Sequence, residues 1–181
     1  MLNPEIKAIA IDGINCFKIN MKTSNSDELE VRAKIEGEYK KNLILNLREE
    51  GSNLFVNAGF SPNFKDPNDK LSAHKVVSIS LDIGLPESQR VQVNGLSCNV
   101  FVTGNYEQLK ITLNDGNCSL NNVSEKVFVV TQSGDINLRS KRGKIKSVSK
   151  FGKIEDNDIP IGTDYYSLKT TTGNIGLMRI D

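Results

Sequence analysis

Few residues in this chain could act as catalytic acids, bases or nucleophiles. The one histidine, His74, has no cysteine, aspartate or serine beside it in a catalytic motif, so we expect it to lie on the surface. Ser133 and Asp135 flank Gly134, but no general base accompanies the serine hydroxyl. The GxSxG, HExxH and phosphate-binding glycine motifs do not occur. The sequence therefore predicts no catalytic residues and no enzyme.

Two groups of carboxylates are close enough in sequence to suggest glycoside chemistry. They are Asp66 with Asp69, and Glu155 and Asp156 with Asp158. A pair of carboxylates can flank a glycosidic bond as acid and base or nucleophile. An enzyme that acts on an acidic polysaccharide therefore stays open as the alternative function. The simpler interpretation of Glu155 to Asp158 is a solvated corner before Pro160.

The cysteines do not indicate a metal site. Cys16, Cys98 and Cys118 are an odd number and include no CxxC pair. Cys98 and Cys118 occupy positions where valine or isoleucine would serve, so we expect buried small hydrophobic residues rather than a disulfide. The calcium-binding nonapeptide of β-rolls is also missing. We therefore predict neither a metal nor a cofactor.

The segment from Arg139 to Lys153 carries seven basic residues and no acidic one. Such a segment could bind an anionic ligand, or it could be a solvated face that keeps the protein soluble. The whole chain has a net charge of +1, and Phe151 is the only aromatic residue in the segment, so nucleic acid is not the expected partner. The candidate ligand-binding residues are Arg139, Lys141, Arg142, Lys144, Lys146 and Lys153.

Lys144 and Lys146 should project from the same side of one strand. They flank Ile145, which the alternation of apolar and polar residues directs inward. Lys126 precedes Lys144 by one interval of the repeat described below, and that repeat predicts that these two lysines stack on each other.

Alternation with a period of two residues runs through most of the chain and indicates β-strands. We find no convincing helical periodicity, so the predicted class is all-β. The segment Phe60–Lys70 contains two prolines and several Asn and Asp residues, and we expect an irregular loop there. The alternating runs before residue 94 are Ile9–Ile14, Phe17–Met21, Leu29–Ile35, Leu43–Leu47, Leu54–Val56, Val77–Ile83 and Val91–Val93.

Glycine recurs at a fixed interval in the second half of the chain. Gly116, Gly134 and Gly152 are evenly spaced, and Gly173 follows after a slightly longer interval. A small apolar residue stands two positions after each glycine, and a second alternating run fills the rest of each interval. This pattern predicts a β-solenoid, a single-stranded β-helix-like coil with turns of about 18 residues. We expect glycine to supply a corner conformation that other residues resist.

The predicted organisation is one elongated all-β domain over residues 1–181. Residues 1–92 form a mostly antiparallel β segment that covers or extends the solenoid, and residues 93–181 form the repeats. Stacked turns should bring equivalent apolar side chains into an inward ladder, with the final strand, Asn174–Ile180, at the far end. The predicted ladder is Val100, Cys118, Ile136 and Ile154.

Two copies of one motif resemble a known family. The runs VFVVTQSGDINL at 127–138 and KTTTGNIGL at 169–177 are similar to the T-x-S-G-D-I-x-L repeat of the bacterial putative-adhesin family, which includes the GIN-type adhesin heads. VSISLDIGLP at 77–86, followed by VQVNG at 91–95, resembles the start of that family's solenoid. The resemblance covers residues 75–181 and implies a β-solenoid without catalytic residues.

The resemblance also implies a function and a location. It favours a non-enzymatic cell-envelope or extracellular module that binds a glycan or another envelope or surface protein. Many members of the family are exported, so this chain would be periplasmic, outer-membrane-associated or extracellular. The first residues, MLNPEIKAIAIDG, are not a signal peptide, which fits either a mature exported domain or a cytoplasmic scaffold. No apolar run approaches the roughly 18–20 residues of a membrane-spanning helix.

Overall fold

The protein is all-β in the computed structural model, which describes residues 2–36, 43–60 and 78–181. These ranges contain fourteen strands and no helix, as the alternation predicted. Apart from Phe60, the predicted Phe60–Lys70 loop lies outside the described residues, as does His74. The strands are β1 Ala8–Asp12, β2 Cys16–Ser24, β3 Glu30–Glu36, β4 Leu43–Glu50, β5 Asn53–Phe60, β6 Ser78–Pro86, β7 Gln89–Gly95, β8 Asn99–Leu113, β9 Cys118–Thr131, β10 Ile136–Ser140, β11 Lys144–Ser149, β12 Ile154–Asn157, β13 Tyr165–Thr170 and β14 Ile175–Arg179.

The strands form two rows of hydrogen-bonded neighbours. The first row has the order β3, β6, β2, β8, β9, β10, β14, β12. The second row has the order β4, β5, β1, β7, β8, β9, β13, β11. The long strands β8 and β9 belong to both rows, because irregularities in their pairing at 103–108 separate a first half from a second half.

Parallel pairing dominates both rows. Val100 pairs with Cys118, and Cys118 pairs with Ile136, so successive partners are separated by the same interval as Gly116 and Gly134. Among the described strands, only two pairs are antiparallel: β3 with β6, and β4 with β5. The expectation of a mostly antiparallel segment over residues 1–92 is therefore wrong for β1 and β2, which are parallel to all their neighbours. A period of two residues marks a strand but not the direction of its partner.

The last two strands, β13 and β14, form one turn of the chain around the core. This C-terminal turn does not occupy the last place in either row. Ile175 of β14 lies between Ile136 and Ile154, and β13 lies between β9 and β11. The predicted ladder from Ile136 directly to Ile154 is therefore incorrect, as is the predicted terminal position of Asn174–Ile180. The outermost turn is instead β11 with β12, where Ile154 is 42% exposed.

The N-terminal strands are inserted in the same manner. β1 lies between β5 and β7 in the second row. β2 lies between β6 and β8 in the first row. The first and the last strands of the chain therefore each lie between two strands that are closer to the middle of the sequence. Strand β2, before position 92, pairs directly with β8, after it.

The inward side chains of the two rows form one apolar core. Ile9, Ile19, Leu81 and Val93 are fully buried, and they come from four different strands of residues 1–95. The three cysteines are buried, and burial of Cys98 and Cys118 is what the sequence predicted for these two positions. In the repeat half, the fully buried ladder of the first row is Val100, Cys118, Ile136 and Ile175.

The recurrent glycines are required because neighbouring turns approach closely. A Cβ atom on Gly134 would lie 1.9 Å from the carbonyl oxygen of Gly116, and one on Gly173 would lie 2.0 Å from that of Gly134. None of these glycines has a positive φ angle. The expected explanation, an unusual backbone conformation, is therefore replaced by a steric one.

Hydrogen bonds from polar side chains join the same corners. The Thr131 hydroxyl accepts from the Gly134 N–H and donates to the Gly116 carbonyl, and Thr170 repeats this arrangement with Gly173 and Gly134. Beside them, each Asn or Asp accepts a hydrogen bond from the backbone N–H of the next turn. The order of this ladder is Asn99, Asn117, Asp135, Asn174 and Lys153.

Candidate ligand-binding face

The outer surface of the second row carries lysines and aromatic side chains on neighbouring strands. In β9 the side chains of Val127, Val129 and Thr131 are buried, so Lys126 and Phe128 project outward. The same alternation operates in β8, β11 and β13. We call the resulting surface the lysine–aromatic face, which consists of Lys110, Lys126, Phe128, Lys144, Lys146, Tyr165 and Lys169.

Strand register aligns these side chains in lines across the strands. Tyr165 pairs with Lys144 on one side and with Lys126 on the other. Neighbouring strands are about 4.8 Å apart, so the attachment points of these two lysines are roughly 10 Å apart. A second line, two residues farther along the strands, contains Lys146, Ser167, Phe128 and Lys110 in that order.

An aromatic pair lies at the centre of the face. The ring centroids of Phe128 and Tyr165 are 5.8 Å apart, and the rings are tilted by 55°. The Lys146 ammonium group lies 6.0 Å from the centroid of Tyr165, at the outer limit of a cation–π contact. Both rings are half-buried, which leaves part of each ring surface in contact with solvent.

Buried side chains of β13 hold this strand in place. Tyr166 is fully buried, and its hydroxyl bonds to the Val123 carbonyl and to the Ser140 hydroxyl. Burial raises the pKa of Tyr166, and the hydrogen bond between Tyr166 and Ser140 opposes that shift only in part. Tyr165, the neighbour of Tyr166, therefore projects outward. The same alternation along β13 directs Lys169 outward.

The charges of the lysine–aromatic face are not neutralised within the described part of the chain. The ion pairs found there join other side chains, such as Arg90 with Glu107 and Arg32 with Glu30. The carboxylate of Asp164 lies at the edge of the face, where it accepts a hydrogen bond from the backbone N–H of Glu125. Among the described residues, the five lysines of the face thus have no carboxylate partner.

The six candidate residues from the sequence do not form one patch. Lys144 and Lys146 project from β11 on the lysine–aromatic face. Arg139 is exposed on the first row, where its neighbours are Asn121 and Met178. The remaining three lie at corners: Lys141 and Arg142 between β10 and β11, and Lys153 immediately before β12.

The predicted stacking of Lys126 on Lys144 is wrong, because Tyr165 lies between them. The insertion of β13 also adds Tyr165 and Lys169, which the sequence analysis did not include in the site. A signal for this order exists in the sequence. Thr170-Thr-Thr-Gly-Asn matches Thr131-Gln-Ser-Gly-Asp more closely than Ser149-Lys-Phe-Gly-Lys does, so the later turn is the better neighbour for the Gly134 corner.

The candidate carboxylates of the second group do not converge on a cleft. Glu155, Asp156 and Asp158 are exposed at the outermost turn, and the Asp158 N–H donates to the Asp156 carboxylate. Across the described ranges, no group of three or more His, Cys, Asp or Glu side chains is placed to hold a metal ion. The same residues include no helix that is long and apolar enough to cross a membrane.

Comparison with known proteins identifies one protein with a similar fold among two matched structures. No protein-family model and no curated protein matches the chain. The crystal structure of a "putative cell adhesion protein" from Clostridium sporogenes is 14% identical, with 97% of this chain and 93% of that one covered and a TM-score of 0.68. A "putative adhesin" from Bacteroides fragilis is 13% identical, with coverages of 97% and 92% and a TM-score of 0.30. The first of these shows that the chain shares the fold of that protein.

Proposed function

We propose that this protein is a non-enzymatic binding module of the adhesin type, built as a β-solenoid with turns of about 18 residues. The parallel register supports the solenoid, because Val100, Cys118 and Ile136 are stacked at the interval that also separates the corner glycines. The steric requirement at Gly116 and Gly134 supports it further, since adjacent corners approach closely enough to exclude a side chain.

The single observation that carries the binding role is the lysine–aromatic face. Its side chains are aligned across four strands, and its lysines have no carboxylate partner within the described residues. Other conspicuous polar residues, such as Thr131, Thr170 and Asp135, form hydrogen bonds within the fold. The face is therefore the part of the described surface whose chemistry is left for a ligand.

We further propose that the module acts at the cell surface or in the envelope. An adhesin-like fold with a ligand-binding face that crosses four strands suits contact with polymers or neighbouring cells, which present many equivalent groups. The partner would be a glycan or another surface protein.

Binding of the purified protein to a glycan array and to intact bacterial and host cells tests this function. We expect retention on at least one class of surface glycan, without any change in the bound polysaccharide on prolonged incubation. Release of shortened oligosaccharides would contradict the non-enzymatic proposal and favour a carbohydrate-active enzyme. Protease treatment of intact native cells tests the location, since a surface protein is degraded while cytoplasmic markers remain intact.

A further inference from the structure

We infer that the lysine–aromatic face binds a carboxylated polysaccharide, which lies across the strands with its sugar rings over Phe128 and Tyr165. This inference rests on the proposed binding function and specifies its ligand. The ligand class is a linear polysaccharide with roughly one carboxylate per disaccharide, rather than a densely charged polyanion.

The positions of the lysines determine the expected charge density. Lys144 and Lys126 flank Tyr165 two strand spacings apart, roughly 10 Å, which is close to the length of a disaccharide. Lys110 lies beyond Phe128 on the next line and extends the site toward the middle of the second row. A carboxylate repeating at that interval would meet one lysine at each side of the aromatic pair.

The aromatic pair contributes contacts that charge alone does not supply. A pyranose ring presents axial C–H groups, which pack on the face of an aromatic side chain. Phe128 and Tyr165 are held by the strands and by each other, so little conformational freedom is lost on binding. Val130 and Val148, which are 45% and 54% exposed, extend the apolar surface along the strands.

Nucleic acid fits these features less well. Single-stranded nucleic acid is held in positively charged grooves with one phosphate at every nucleotide, while this face is a sheet surface with few, spaced charges. The net charge of +1 also provides little of the long-range attraction that concentrates a densely charged polyanion at a protein surface.

The test measures affinity for hyaluronan oligosaccharides, which carry one carboxylate per disaccharide, by calorimetry. Neutral dextran, heparin and single-stranded DNA serve as comparison ligands. We expect hyaluronan to bind most tightly at physiological salt. Lys126→Glu with Lys144→Glu should weaken its affinity roughly tenfold, because each reversal replaces a weak attraction by repulsion. Phe128→Thr should weaken it severalfold without a change of charge.

A matched control reverses two basic residues on the other face. Lys22 and Arg139 are both exposed on the first row, so Lys22→Glu with Arg139→Glu changes net charge equally and should leave affinity unchanged. Thermal melting checks that every variant remains folded. Thr is chosen at position 128 because it is compatible with a strand.

Each alternative outcome has a definite meaning. If neutral glycans bind and hyaluronan does not, the ligand class is wrong while the binding function stands. If heparin or DNA binds more tightly and Phe128→Thr has no effect, the face is a general anion-binding surface and the inference is overturned. If no glycan and no cell surface is bound, the proposed function fails as well.

Discussion

At the scale of single residues, the corners of this fold depend on the absence of a side chain and on the presence of a hydroxyl. Gly116, Gly134 and Gly173 are packed against one another's backbone, and Thr131 and Thr170 connect the same turns. The motif Thr-x-x-Gly thus has a structural explanation. Its threonine hydroxyl joins successive turns through hydrogen bonds.

Replacing Gly134 by alanine should destabilise the protein by about 1–3 kcal/mol, because the new Cβ would meet the Gly116 carbonyl oxygen at 1.9 Å. Gly176→Ala is the matched control. Its Cβ would contact only the end of the flexible Asn137 side chain, so we expect a change within about 0.5 kcal/mol. Urea denaturation measures both, and equal free energies of unfolding would contradict the steric explanation.

The buried thiols predict a loss of stability at alkaline pH. Burial raises the pKa of Cys118 to about 12, above the ordinary value of 9.0. The neutral thiol therefore stabilises the fold fully below about pH 9, and this contribution is lost as pH rises toward 12. Between neutral pH and about pH 10.5, the free energy of unfolding should fall by roughly 1–2 kcal/mol less in Cys118→Val than in the wild type. Urea denaturation at both pH values measures this free energy. An equal decrease in the two proteins would contradict the claim that the buried neutral thiol of Cys118 stabilises the fold.

At the scale of elements, the main feature is that the outermost turn depends on the last strands of the chain. Described pairings join β11 only to β13 and β12 only to β14. The terminal turn, residues 165–179, therefore lies between the outermost turn and the remainder of both rows.

A chain that ends at Pro160 should consequently lose structure over residues 144–157 although those residues are retained. Without β13 and β14, the strands β11 and β12 have no neighbour, whereas β9 still pairs with both β8 and β10. Hydrogen exchange followed by mass spectrometry should show rapid exchange at 144–157 and continued protection at 118–131. Protection of 144–157 would mean that this turn stacks directly on β9 and β10.

Much of this arrangement could be predicted from the sequence, but its order could not. Alternation identified most of the strands, and the glycine interval correctly paired Val100 with Cys118 and Cys118 with Ile136. The interval failed at Ile154 because stacking depends on side-chain compatibility rather than on succession in the chain. Lys153 has no side-chain oxygen to accept a hydrogen bond from another turn, so its turn can only be the last of the Asn and Asp ladder.

The candidate site shows the same limitation. Lys144 and Lys146 were correctly assigned to one outward side, because that inference needs only local alternation. Tyr165, Lys169 and the separation of Arg139 from these lysines depend on which strands are neighbours. Local charge density could not supply that information.

At the scale of the whole molecule, the inserted termini join the two halves of the chain. β1 and β2 occupy places between β5 and β7 and between β6 and β8, so the boundary expected near residue 92 is crossed by backbone pairing. Ile9, Ile19, Val93 and Val100 belong to one buried cluster. We therefore propose a single domain in which neither half has a complete core.

A fragment of residues 93–181 should accordingly fail to fold alone. It would lose β2 and most of β7, and with them the neighbours of β8 on that side, which exposes Val100, Leu109 and Ile111. Circular dichroism during heating should show no cooperative transition in the fragment and a clear one in the full chain. A sharp, native-like transition in the fragment would identify residues 93–181 as an independent domain.

The position of β13 and β14 also has a consequence for biosynthesis. Residues 144–157 are synthesised before residues 165–179, yet β11 and β12 can pair only after β13 and β14 arrive. The nascent chain therefore keeps residues 144–157 undocked until these later strands have emerged from the ribosome, so the last step of assembly runs against the order of synthesis.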